Sequence, residues 1–154
     1  MKPGVFTQLY TQIVFAVKYR DRLLTKVIRG EVFSYMSGIL TNRKHKSIII
    51  NGMSDHGHIL FGSNPNDKLS DLVACLKRDS SSFKNNKKSF GDKFQWQEGY
   101  GAFSYGRSQL DKIYNYILNQ EKHHNRRSFR DEYTELLKKF EVEYEEKYLF
   151  EFFD

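Results

Sequence analysis

The run Asp55-His56-Gly57-His58-Ile59-Leu60-Phe61 constrains this chain more than any other segment. Its residues alternate as a strand, with His56, His58 and Leu60 on one face and Ile59 and Phe61 on the other. Two imidazoles on one face of a strand stand side by side, near enough to share a metal ion. An ion held there needs a third ligand and a reaction to serve.

The segment Tyr116-Ile117-Leu118-Asn119-Gln120 offers both. Leu110, Ile113, Tyr114 and Ile117 follow the i, i+3, i+4, i+7 spacing of a buried helical stripe. Tyr116 lies off that stripe, and Gln120, four residues on, sits above it on the same flank. With His56 and His58, Gln120 gives two nitrogens and one oxygen and leaves positions open for water or a substrate oxygen, a donor set suited to a catalytic divalent ion. A tyrosine hydroxyl, with an ordinary pKa of about 10, is a poor nucleophile near neutral pH. It needs a substrate made electrophilic by a cation, and a phosphodiester meets that need, leaving a phosphotyrosine and a free hydroxyl.

The surrounding pattern predicts the order βαββαβ with helices appended. Leu9, Thr11, Ile13, Phe15 and Val17 alternate as a first strand, and Ile28, Val32, Tyr35, Met36 and Ile39 mark one face of a helix. Lys46 to Asn51 reads as a second strand that forms a hairpin with the histidine strand through Gly52-Met53-Ser54. Asn64-Pro65-Asn66-Asp67 opens a second helix with Leu69, Leu72, Val73, Leu76 and Phe83 as its stripe. A short strand runs from Tyr100 to Tyr105, then the tyrosine helix, then a terminal helix from Phe129 to Phe140. This is an α+β, ferredoxin-like arrangement: an antiparallel sheet with helices on one face and the other left for a nucleic-acid strand or a helix carrying the nucleophile. No linker or repeat interrupts it, so residues 1–154 are expected to form one domain.

These residues resemble the single-tyrosine HUH transposases of small bacterial insertion sequences, the IS200-like family. Asp55-His56-Gly57-His58-Ile59-Leu60 resembles the family's HUH strand, and Tyr116-Ile117-Leu118-Asn119-Gln120 its tyrosine helix. Trp96-Gln97-Glu98-Gly99-Tyr100-Gly101-Ala102-Phe103-Ser104 resembles its aromatic, glycine-rich segment, and Asn119-Gln120-Glu121-Lys122-His123-His124 with Phe129 extends the match. The resemblance implies cleavage and rejoining of single-stranded DNA at the hairpin ends of a mobile element. It also implies a 5′-phosphotyrosine intermediate, Mg²⁺ or Mn²⁺ as the ion, and a homodimer whose active sites can be shared between subunits. By position Tyr116 is the nucleophile, His56 and His58 the paired ligands and Gln120 the third. Gly57 departs from the bulky apolar residue the family prefers, and is expected to leave a gap and loosen the strand. Gln12 stands where related chains tend to carry histidine.

Charge agrees with a polyanionic partner: 25 Lys and Arg against 19 Asp and Glu give +6. The basic excess is concentrated in Lys77, Arg78, Lys84, Lys87, Lys88 and Lys93. Lys77, Arg78, Lys84 and Arg107 are candidates for phosphate contacts, and Trp96, Tyr100 and Phe103 for stacking on unpaired bases, with at least one of these aromatics packing in the core. Cys75 is the single cysteine, so no disulfide forms within the chain, and no run approaches the roughly 20 apolar residues of a membrane span. The first residues lack a signal-peptide core, and the expected compartment is the cytoplasm.

Duller readings compete at each position. On their own, His56 and His58 fit solvated strand histidines as well as ligands, and Tyr116 fits a packed aromatic. His123 and His124, near a helix end, read as a solvated pair. Two other functions fit parts of the pattern: a non-catalytic binder of single-stranded nucleic acid on the same sheet, and a nickase of the replication-initiator or relaxase kind.

Overall fold

A computed structural model describes residues 2–19, 23–86 and 93–153. Lys87 and Lys88, part of the basic stretch, lie outside the described residues. Four strands form one antiparallel sheet: β1 (Tyr10–Ala16), β2 (Lys46–Gly52), β3 (His56–Gly62) and β4 (Gly101–Tyr105), in the order β2-β3-β1-β4. Between them run α1 (Lys26–Asn42) and α2 (Leu69–Asn85), and α3 (Leu110–Leu118), α4 (Gln120–His124) and α5 (Phe129–Lys139) follow β4. The predicted α+β order and the β2–β3 hairpin are both present.

The two faces of the central strands carry two separate cores. Ile13, Phe15 and Val17 of the first strand segment join Ile59 and Phe61 beneath α1 and α2. Val14, Ala16 and Leu60 face Ile113 and Ile117 of α3 and Phe129, Tyr133 and Leu137 of α5. Of the two occupants expected for this second face, a nucleic-acid strand or a helix carrying the nucleophile, it is the helix with Tyr116 that covers it, together with α5. Both central strands are buried on both sides, so alternation along β1 separates two cores and not core from solvent.

Three local expectations change. Tyr35 is 40% exposed and stacks on Phe83 with ring centroids 4.3 Å apart, so it does not belong to the buried face of α1. Tyr114 is 37% exposed, leaving Ile113 and Ile117 as the buried residues of α3. Gly57 leaves no gap. It lies opposite Phe15 in register, and a Cβ built on it would come within 3.0 Å of the Phe15 ring and 3.3 Å of Phe33. The Phe15 side chain fills the space that a larger residue at 57 would occupy, so the glycine and the aromatic form one packing unit.

Close approach also explains Gly52. A Cβ there would fall 2.2 Å from the His56 carbonyl oxygen. Only glycine lets the hairpin close this tightly at the first histidine.

Candidate active site

His56 and His58 stand opposite Ala16 and Val14 on β1, whose small side chains leave room for two imidazoles over the sheet. Both rings are fully buried. Each is fixed from behind through Nδ1. His56 Nδ1 is 2.7 Å from Asp55 Oδ1, and the ring lies flat against Phe129, with centroids 3.9 Å apart and planes within 6°. His58 Nδ1 is 2.8 Å from the Gln12 amide nitrogen, and Gln12 Oε1 accepts the Tyr105 hydroxyl at 2.6 Å. Both Nε2 atoms therefore point into the space under α3–α5, the arrangement by which outer groups aim metal-binding histidines.

That amide orientation suits a His58 with its proton on Nε2. Turned over, the Gln12 amide oxygen would accept a proton from Nδ1 and leave a lone pair on Nε2, and Tyr105 would become the acceptor. The buried Gln12 thus serves either state of His58.

The group at the centre is Glu132, from α5, with no exposed surface. Its Oε1 lies 2.9 Å from His58 Nε2, 3.3 Å from His56 Nε2 and 3.2 Å from His124 Nε2. Its Oε2 accepts the Gln120 amide at 3.0 Å and the Tyr116 hydroxyl. Burial alone would push this carboxyl up, but the imidazoles around it outweigh burial and hold it well below the usual carboxylate range. Burial would likewise lower His56, yet Asp55 and Glu132 lift it to about 9. His58, without a carboxylate behind it, goes down because burial dominates.

Ligand atoms of His56, His58 and Glu132 all lie within 4.8 Å of one another, so the three can hold one metal ion. Two imidazole nitrogens and a carboxylate oxygen suit a divalent ion that accepts mixed donors. Gln120 Oε1 adds a fourth atom nearby, 3.1 Å from His56 Nε2. His124 Nε2, buried and without a hydrogen bond, borders the same carboxylate.

Tyr116 sits in the first of two pieces of the tyrosine helix. The helix breaks at Asn119, where Asn51 of β2 donates to the carbonyls of Ile117 and Leu118 at 3.0 and 3.1 Å. These bonds satisfy the end of α3 and tie it to the sheet edge. Tyr116 stacks on His123 at 4.5 Å, and its hydroxyl oxygen accepts from Arg127 Nη2 at 3.0 Å. Burial and then the Glu132 carboxylate raise the phenol pKa, while Arg127 opposes them.

The structure thus brings Tyr116, His56, His58 and Gln120 together within one chain. A family profile described as "Transposase IS200 like" matches residues 5–120, a span that takes in both histidines, the tyrosine and Gln120. The chain belongs to the IS200-like transposase family. Two solved structures share the fold of this transposase chain. One, of a candidate transposase from Deinococcus radiodurans, is 22% identical and superposes with a TM-score of 0.60 over 78% of this chain and 96% of its own. The other is a REP-associated tyrosine transposase bound to a REP hairpin, 10% identical, with a TM-score of 0.56 over 80% of this chain and 74% of its own. No curated protein matches the sequence.

The expected DNA contacts are placed elsewhere. Lys77, Arg78 and Lys84 belong to α2, on the far side of the sheet from the histidines. Lys77 donates to the carbonyls of Gln97 and Gly99, Arg78 pairs with Asp79, and Lys84 is buried. Trp96 is 6% exposed, donates its indole N–H to Ser80 at 2.9 Å and packs edge-on against Phe15. A ring enclosed in this way packs in the core and has no face to offer a base, contrary to the stacking role expected of it. Arg107 is exposed in the turn before α3.

Sequence reasoning missed Glu132, although a signal was present. Phe129, Glu132, Tyr133 and Leu137 are the buried residues of α5, and a carboxylate inside an apolar stripe is rarely there without a partner. Ser128 gives the helix its start by accepting the Asp131 backbone N–H.

Proposed function

We propose that this chain is a metal-dependent transposase that cleaves and rejoins single-stranded DNA at the hairpin ends of an insertion sequence through a 5′-phosphotyrosine. The observation that supports this reading is the direct contact between the Tyr116 hydroxyl and Glu132, one of three residues whose ligand atoms converge closely enough to hold an ion. His56, His58 and Glu132 would hold the ion, Mg²⁺ or Mn²⁺, with Gln120 as a further ligand. When bound, the ion withdraws charge from the phosphate oxygens of the substrate.

The remaining work falls to the chain. Asp55, Gln12 and Phe129 keep both imidazoles aimed, and the Asn51 contacts to α3 fix the height of Tyr116 over the sheet. Preorganisation of this kind spares the reaction the cost of orienting nucleophile and phosphate. The geometry favours completion of the site within one chain, so a homodimer is not needed to supply the tyrosine. Among the described residues no helix is long and apolar enough to cross a membrane, and the reading puts the reaction in the cytoplasm, with the DNA.

The test is incubation with Mn²⁺ and a library of end-labelled hairpin single strands, resolved on a denaturing gel. The expected product is a covalent adduct on the 5′ end of the cut strand, absent with chelator and absent in Tyr116→Phe. A metal-bound protein that never forms an adduct, but binds strands equally well as Tyr116→Phe, would replace this reading with that of a binding module.

A further inference from the structure

Arg127 stands at an edge of the site that none of these roles uses. It lies between α4 and α5, where Nη2 donates to the Tyr116 hydroxyl oxygen at 3.0 Å and Nη1 pairs with Glu135. Beside it opens a cavity of about 720 Å³, within the roughly 300–1,000 Å³ range of ligand sites. The cavity runs between α3 and α5 and has Tyr116 in its wall. Lys112, Lys138 and Lys139 line it with Arg127, so four cations face two carboxylates, Glu132 and Glu135. This is the basic surface that adjoins the tyrosine.

A phosphorus positioned for attack lies about 3–3.5 Å from the nucleophilic oxygen. Arg127 Nη2 is 3.0 Å from that same oxygen and lines the same cavity, so a phosphate that approaches Tyr116 from the cavity brings its non-bridging oxygens within hydrogen-bonding reach of the guanidinium. A guanidinium is permanently charged and presents paired donors that match a phosphate. Resting on the assignment of Tyr116 as nucleophile, we propose that Arg127 is a second catalytic residue, which binds the scissile phosphate of single-stranded DNA entering through this cavity.

In the step, a bond forms between Tyr116 Oη and phosphorus while the bond from phosphorus to the 3′ oxygen of the preceding nucleotide breaks. The electron pair of the broken bond goes to that 3′ oxygen. Water takes the phenolic proton and returns one to the 3′ oxygen, and nothing is oxidised or reduced. Charge on the transferring phosphate meets the Arg127 donors, and the Glu135 pair holds the side chain in place before the strand arrives.

The test compares single-turnover adduct formation by wild type, Arg127→Ala and Arg127→Lys on one hairpin strand, made with either a phosphate or an uncharged methylphosphonate at the cleaved position. Loss of a preorganised charge-stabilising donor costs on the order of 100-fold in rate. Arg127→Ala is expected to be slower by about that factor on the phosphate strand, with strand affinity by fluorescence anisotropy changed by less than about threefold. Arg127→Lys should fall between, and it carries the comparison if the alanine variant does not fold. On the methylphosphonate strand all three should agree within about threefold, because the charge that Arg127 meets is gone. Equal rates on the phosphate strand, or an equal loss on both strands, would overturn the role of Arg127. A wild-type chain that forms no adduct with any strand would instead overturn the assignment of Tyr116.

Discussion

Beside the turn from α1 to β2, His45 and Arg43 close on Asp67; beneath α5, His56 and His58 converge on Glu132. Both clusters bury histidine against carboxylate, yet they are built to different ends. Arg43 meets Asp67 through two bonds of 2.8 and 2.6 Å, His45 Nε2 adds a third at 2.7 Å, and the backbone N–H of Asn64 occupies His45 Nδ1. Each ring nitrogen and carboxylate oxygen has its own partner, and the guanidinium balances the carboxylate. In the other cluster one carboxylate oxygen faces three ring nitrogens, and one of them, His124 Nε2, makes no hydrogen bond. Closure marks a structural staple between α1 and the loop before α2, whereas convergence on a point marks a place for something to bind.

The largest effect that would break this distinction lies in activity. His58→Ala is expected to slow adduct formation by at least about 100-fold, measured in single turnover, while Asp67→Asn retains the wild-type rate in its folded fraction. If each site is completed within one chain, as proposed, mixing His58→Ala with Tyr116→Phe should not restore the adduct. Restoration would show that the tyrosine serves a partner.

Metal linkage comes next. At a Mn²⁺ concentration about 100 times its dissociation constant, wild type should gain about 2.7 kcal/mol, a rise of roughly 5–10 °C in Tm for a chain of this length. The rise should vanish in His58→Ala and persist in Asp67→Asn, as read by calorimetry.

The staple answers through stability and acid. Asp67→Asn is expected to cost about 1–2 kcal/mol in urea unfolding without metal, since it removes charge-assisted bonds from a partly buried network. Arg43, then His45, hold the Asp67 carboxyl down to about 2, below its unfolded value near 3.9. Its contribution is therefore complete above about pH 4 and is lost as pH falls toward 2. An Asp67→Asn chain should lack that part of the acid limb.

The smallest effect concerns the glycine between the two histidines. Gly57→Ala should cost about 1 kcal/mol and Gly57→Val more, because each added atom meets the Phe15 ring. A stabilised and faster Gly57→Val would show that the strand had been loose after all.

How far the sequence could be read follows the same division between local pattern and convergence. The four strands and the helices between them were legible from period-2 and period-3.6 alternation, as with Ile13, Phe15 and Val17 or Leu72, Val73 and Leu76. The tyrosine and histidine segments were legible because spacing alone sets His56 beside His58 and Tyr116 near Gln120. Glu132 showed only as a carboxylate inside the apolar stripe of α5, and neither its partners nor the place of Arg127 was legible, since these depend on where α5 and its preceding loop land on the sheet. Trp96 misled for the converse reason: an aromatic beside basic residues reads as a stacking platform until tertiary packing encloses it. The break at Asn119 depended on Asn51, 68 positions earlier in the chain, and Gly57 could be understood only once its cross-strand partner was known to be Phe15.

The most direct test of the converging centre is pulsed electron paramagnetic resonance of Mn²⁺ bound to the wild-type chain, reading the couplings from imidazole nitrogen. The expected spectrum shows two histidine nitrogens, reduced to one in His56→Ala or His58→Ala and unchanged in Asp67→Asn. Two nitrogen couplings that survive both histidine substitutions, or disappear with Asp67, would contradict the placement of the metal centre.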